Sequence, residues 1–166
     1  MVALKRLFPG INRDSLLDAV RTALAAVVAM LLGRLLGMPE YYWAPISTIV
    51  IMQSTLPVMT HGWQRFLGTA LGAILGIAFA SLTHPVTTLS FAAVYALGVF
   101  LCGVVTFLLG VGGAFRFAAI TLSIIFLISR RAAPWIAGWH RFLEVSLGIA
   151  VAVVFSRLWP LDKKTT

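Results

Sequence analysis

Two arginines stand in the same hexapeptide context, Gly62-Trp63-Gln64-Arg65-Phe66-Leu67 and Gly138-Trp139-His140-Arg141-Phe142-Leu143. A guanidinium is permanently charged and presents a planar fork of donors that fits a carboxylate or an inorganic anion. Set among apolar residues, it has two readings. It snorkels along its aliphatic stem to bind lipid headgroups, or it faces inward and recognises an anion. Both arginines fall near the expected start of a helix, where free backbone N–H groups and the positive end of the dipole favour the second reading.

Other polar residues could share that chemistry. Ser47, Thr48, Gln53, Ser54 and Thr55 make one apolar stretch unusually polar, and Pro45 and Pro57 accompany them. Such residues either tie helices together or line a path. Trp43, Trp63 and Trp139 lie near span ends, where tryptophan forms an interfacial belt, but they could also bind substrate or line its path, and Trp63 or Tyr42 could stack on a ring-bearing substrate. Asp18 lies three residues before Arg21, and Glu144 three after Arg141, so each acid is expected to be neutralised on its own helix face. These two are the acids that could carry a coupled proton. His61 and His140 could titrate near neutrality, although interfacial histidines usually only hydrogen-bond. The single Cys102, in an apolar run, reads as a small packing residue. No metal-ligand spacing, nucleotide loop, nucleophile elbow or catalytic triad is present, so neither an enzyme nor a cofactor is expected.

The elements that must position these residues follow from composition. The chain has 166 residues, of which 60% are hydrophobic and 11% charged, with a mean hydropathy of +0.98. A soluble chain would be about a quarter charged; this one reads as an integral membrane protein. Its net charge of +8 does not indicate nucleic-acid binding, because no basic stripe lies beside an aromatic platform. At roughly 20 residues per span, we expect an all-α, polytopic fold of six transmembrane helices. They cover about residues 15–36, 43–59, 62–82, 87–109, 115–129 and 138–159, the second short, kinked or interrupted by its prolines. Residues 1–14 form a cytoplasmic tail, 15–160 the transmembrane domain, and 161–166 a C-terminal tail. The first span is read as an uncleaved anchor. With both termini inside, nine of the thirteen Lys and Arg fall on the cytoplasmic side, as the positive-inside rule asks. Arg130, Arg131 and Arg141 are discordant.

The repeated hexapeptide extends. At an offset of 76 residues, nine of the twenty-one positions from Gly62 are identical, including Leu71-Gly72 with Leu147-Gly148 and Phe79 with Phe155. Two halves, about residues 15–82 and 87–160, would each hold three spans. An odd number forces the second half to cross the membrane in the opposite sense, which makes the repeat inverted and explains Arg141 as a repeat residue. Inverted repeats are a recurrent transporter plan with the path between the halves. Gly68, Gly72 and Gly76 form a small-residue stripe, which marks the third helix for close packing or a dimer contact.

Trp43-Ala44-Pro45, Gln53-Ser54 and above all Arg65-Phe66-Leu67-Gly68-Thr69-Ala70-Leu71-Gly72 resemble the fusaric acid resistance family of bacterial inner-membrane proteins, which includes aromatic acid exporters. The final span, with Arg141, Leu147-Gly148 and Leu158-Trp159-Pro160, is similar too. Plant aluminium-activated malate channels share a like six-helix plan. The resemblance implies multi-pass placement in a bacterial inner membrane and efflux of organic, often aromatic, carboxylates without a cofactor. Many such exporters carry two six-helix blocks and a soluble region. One block here implies a homodimer, with Arg65 and Gln53 as the positions carried over. The expected partners are the lipid bilayer, a small organic anion and a second copy. Alternatives are a non-transporting membrane subunit that binds headgroups and a partner protein, a channel-like anion conductor, and a cation or drug exporter needing a free embedded acid.

Overall fold

A computed structural model of the protein describes residues 13–82, 87–128 and 133–160, and these are helical with no strand among them. The six helices are α1 (Arg13–Leu35), α2 (Trp43–Met52), α3 (Val58–Leu82), α4 (Thr88–Leu108), α5 (Phe115–Ser123) and α6 (Pro134–Leu158). A 3-10 turn, Gly112–Ala114, leads into α5, and a π turn, Ile124–Ile128, continues it. Arg130 and Arg131, like the two chain ends, lie outside the described residues.

Local chemistry explains most boundaries. α1 has Asp14 in its first turn and Arg34 in its last, each at the end of the dipole that favours its charge. It stops at Gly37, whose φ of 66° only glycine adopts readily. There Gly37 N–H donates to the Arg34 carbonyl and Met38 N–H to that of Gly33, a glycine cap that satisfies the last carbonyls. α4 ends the same way: Gly110, φ 70°, donates to Phe107 and Val111 donates to Thr106. Thr87 and Ser90 form a capping box at its start.

The second helix departs from the expected span over 43–59. It ends at Met52, because the Gln53-Ser54 turn and Pro57, which has no N–H to donate, break the ladder. Met59 belongs to α3. Ten residues reach about 15 Å, half of a hydrocarbon core of about 30 Å. α3 and α6 begin a turn earlier than expected, at Val58 and Pro134, with Pro134 in the first helical turn, where proline is tolerated. Arg65 and Arg141 therefore lie about two turns inside their helices. The expectation that helix N-termini support them is thereby corrected.

Three helices are long and apolar enough to cross a membrane, within Arg13–Leu35, Val58–Ser81 and Thr88–Leu108, and two shorter apolar helices accompany them. Large apolar side chains such as Leu24, Leu31, Phe100 and Phe107 are exposed along α1 and α4. In a soluble protein this would be an aggregation hazard; here it is the surface that lipid covers.

The core is built in two clusters. In one, Ala25 and Ala29 of α1 and Ala44, Ile51 and Met52 of α2 pack with Val151 and Ala152 of α6. In the other, Cys102 of α4 and Ala118 and Leu122 of α5 pack with Leu71, Leu75 and Phe79 of α3. The pair α1 and α2 thus packs on α6, and the pair α4 and α5 on α3. α3 and α6 have equal length, start 76 residues apart and meet at Phe66 and Phe142, whose rings are 5.0 Å apart.

Candidate functional site

Close approach of backbones brings the site together. A Cβ on Gly72 of α3 would lie 2.3 Å from the Ala118 carbonyl oxygen of α5, and one on Gly148 of α6 would lie 2.3 Å from that of Ala44 in α2. Gly68 faces Ala114 and Phe117 in the same way, and Gly76 faces Leu122 and Ile125. The glycine stripe of α3 is therefore turned to α5 within the protomer. Thr48 adds a tie, donating to the Ala44 and Gly148 carbonyls. These contacts clamp the short helices α2 and α5 on the long ones, and Arg65 and Arg141 lie between.

Both arginines are buried, with exposures of 8% and 3%, and both line one small cavity with Trp43, Thr69, Phe117 and Thr121. Its volume is about 20 Å³, room for about one water. Arg65 Nη2 donates to Ser47 Oγ at 3.0 Å, and its guanidinium lies 5.1 Å from the centre of the Phe117 ring. Arg116 takes the other cation–π contact with that ring, at 4.7 Å, and donates to His61 Nε2 at 3.1 Å. His61 Nδ1 in turn meets Ser54 Oγ. The Arg141 guanidinium lies 3.3 Å from the centre of the Trp43 ring. Trp43 Nε1 donates to Glu40 Oε2, and the Glu40 backbone N–H donates to Glu144 Oε1.

Of the two arginines at the cavity, three guanidinium nitrogens are buried without a protein hydrogen-bond partner: Nε of Arg65 and both terminal nitrogens of Arg141. Oε2 of Glu144 is in the same condition. Buried charged donors are strongly unfavourable unless paired. Two such forks facing one cavity can hold a carboxylate by charge-assisted, bidentate hydrogen bonds, and the Trp43 and Phe117 faces suit an aromatic or aliphatic remainder. Among the described residues no three His, Cys, Asp or Glu side chains gather to hold a metal ion.

Of the residues singled out from sequence, Arg65, Arg141, Ser47 and Trp43 converge. Thr48 is buried behind them as a helix tie. Trp63 and Trp139 are exposed and stack on Phe66 and Phe142, outside the cavity. Gln53 lies elsewhere. Its amide donates to Asp18 and Thr22, and these residues line a separate open groove of about 450 Å³ with Ser15 and Ile49. Asp18 makes the expected ion pair with Arg21, at 2.7 Å, and Arg21 also donates to the Trp159 carbonyl. Glu144 differs from its expected pairing with Arg141, because its carboxylate turns to the Glu40 N–H. His140 is half-buried.

Thr69, Phe117, Thr121, Arg116 and Glu40 were missed. Thr69 lies within Arg65-Phe66-Leu67-Gly68-Thr69, one helical turn after the arginine, so spacing could have found it. Phe117 carries no polar atom, and only the packing of α5 on α3 brings it to Arg65.

Residues 27–155 match the family model described as fusaric acid resistance protein-like. The chain is also similar to the inner membrane protein YeeA of Escherichia coli (strain K12), 29% identical over a match 158 residues long, which covers 87% of this chain and 41% of that protein. It thus spans about two fifths of that relative's length. No solved structure matches.

Proposed function

The chain belongs to the fusaric acid resistance protein-like family, and from that premise we propose that it exports organic, chiefly aromatic, carboxylate anions across a bacterial inner membrane. The observation that carries this reading is the convergence of Arg65 and Arg141, both buried and both with unpaired donors, on one cavity between the halves. Ser47 orients Arg65, and Trp43 covers Arg141. The narrow cavity favours a gated path over a standing pore, since a carboxylate needs the short helices to part before it enters. The name of the Escherichia coli relative supports the inner-membrane assignment.

The reading includes six membrane crossings in two inverted halves, with both termini cytoplasmic. Its support is the shared glycine cap of α1 and α4, the equal length of α3 and α6, and the reciprocal packing of each half's short helix on the other's long one. It also includes a homodimer, which a mass measurement in detergent checks. Asp18 and Glu144 are the acids through which proton coupling would run.

The test is flux of a panel of aromatic and aliphatic carboxylates in proteoliposomes at set potential and pH. Native protein should carry aromatic carboxylates, and Arg65→Ala or Arg141→Ala should lower flux about tenfold or more, the equivalent of one charge-assisted hydrogen bond. Folded native protein that carries none would assign the chain to a non-transporting membrane subunit.

A further inference from the structure

The cavity of the two arginines has one thin wall. Seven of its nine lining residues are buried and Trp43 is half-buried, whereas Ile120 of α5 is 51% exposed. One face of Ile120 lines the cavity and the other meets the surroundings of the protein, so a single side chain separates the two at that point.

The lining divides by chemistry. Arg65 and Arg141 supply the cations, and their unpaired donors are where a carboxylate binds. The Thr69 hydroxyl is already donated to the Arg65 carbonyl. Phe117, Ile120 and Ile124 of α5 and Val145 of α6 bring no polar side-chain atom, so the apolar remainder of an anion belongs against them. Phe117, Ile124 and Val145 are buried, and a close-packed interior yields little. Trp43 lies on the Arg141 guanidinium, and displacing it forfeits a cation–π contact. Ile120 is free on one side, and an exposed side chain changes rotamer within nanoseconds. It is the lining residue that gives way most readily.

We propose that Ile120 is a specificity-determining residue that limits the size of the apolar group a transported anion carries. The inference rests on the anion-transport reading. With the carboxylate on the arginines, the remainder lies along the apolar wall, and the room it has ends at Ile120. A smaller side chain there lets a longer remainder extend outward. A larger one fills the space that a second ring would take.

The experiment compares benzoate with 2-naphthoate, which carry the same charge and differ by one fused ring. For each, kcat/KM for flux into proteoliposomes is measured at fixed potential and pH. Ile120→Ala should move the ratio about tenfold towards naphthoate, the discrimination that a few carbon atoms give in an apolar pocket. Ile120→Phe should move it towards benzoate by a similar factor. Leu127→Ala alters another exposed apolar residue, one in the π turn that continues α5 and outside the cavity lining, and should leave the ratio within about twofold. An unchanged ratio in folded Ile120→Ala protein overturns the proposal. So does a shift towards naphthoate in Ile120→Phe, or a shift in Leu127→Ala as large as that in Ile120→Ala. In each of these cases benzoate flux persists and the transport reading stands; absence of benzoate flux from folded native protein overturns that reading, and the role of Ile120 with it.

Discussion

Arg65 shares the Phe117 ring with a second guanidinium, that of Arg116, whereas Arg141 lies face-on to Trp43 in a region that also holds Glu40 and Glu144. The two arginines hold equivalent places in a repeated hexapeptide and on helices of equal length, yet one is surrounded by cations and the other by acids. Packing explains why α3 and α6 diverge one turn further on. At Gly68 a Cβ would come 2.5 Å from the Ala114 carbonyl oxygen, so α3 admits no side chain there. At position 144 the neighbouring backbone stands back and offers a free N–H, that of Glu40, to a carboxylate. The repeat thus keeps the cation and the helix plan and varies the counter-charge.

The largest expected effect separates the two arginines. Arg141→Ala removes the buried cation that lies face-on to Trp43 beside Glu40 and Glu144 and should destabilise the protein by about 2–3 kcal/mol, read as a fall in the midpoint of thermal unfolding in detergent. Arg65→Ala relieves repulsion from Arg116, so its loss should stay near 1–2 kcal/mol, the size of one cation–π contact and one hydrogen bond. Adding Glu144→Gln to Arg141→Ala should restore part of the loss, a non-additivity expected of coupled groups. Equal melting losses for the two arginine variants would break the comparison.

Next in size is a test of what the halves share. Gly72→Ala and Gly148→Ala each drive a methyl group into a backbone carbonyl at 2.3 Å, and overpacking of this kind costs about 1–3 kcal/mol. Similar losses for both would show that the two short helices are clamped alike. A large loss at only one would place the asymmetry in the scaffold as well as in the charges.

Hydropathy and glycine placement made much of this legible in the sequence. The breaks at Gly37 and Gly110 and the interruption before Pro57 are local, and each follows from backbone chemistry that one or two residues decide. The repeated Trp-x-Arg-Phe pointed to both arginines. Long-range placement was not legible. Gln53 reads as polar and central, but α2 ends one residue before it and leaves it to Asp18 and Thr22. Glu144 reads as Arg141's partner by spacing, and only the fold of the α1–α2 connection brings the Glu40 N–H to compete for it. Phe117 became visible only once α5 was seated on the glycines of α3.

The smallest effects sharpen the comparison at the rings. Phe117→Leu keeps apolar volume but removes the π face shared by Arg65 and Arg116, a loss of about 1–2 kcal/mol. Trp43→Phe keeps a face over Arg141 and removes only the Nε1 hydrogen bond to Glu40, about 1 kcal/mol. The ordering matters more than either value. On the Arg65 side no acid is at hand, so the ring is a main source of relief for the cation and its removal should be felt in anion affinity as well as in melting. On the Arg141 side two acids share that role, so Trp43→Phe should shift melting slightly and leave the KM for carboxylate flux within about twofold. A loss for Trp43→Phe as large as that for Arg141→Ala would mean that the Trp43–Glu40–Glu144 chain, and not the charge balance around Arg141, holds the α1–α2 connection in place.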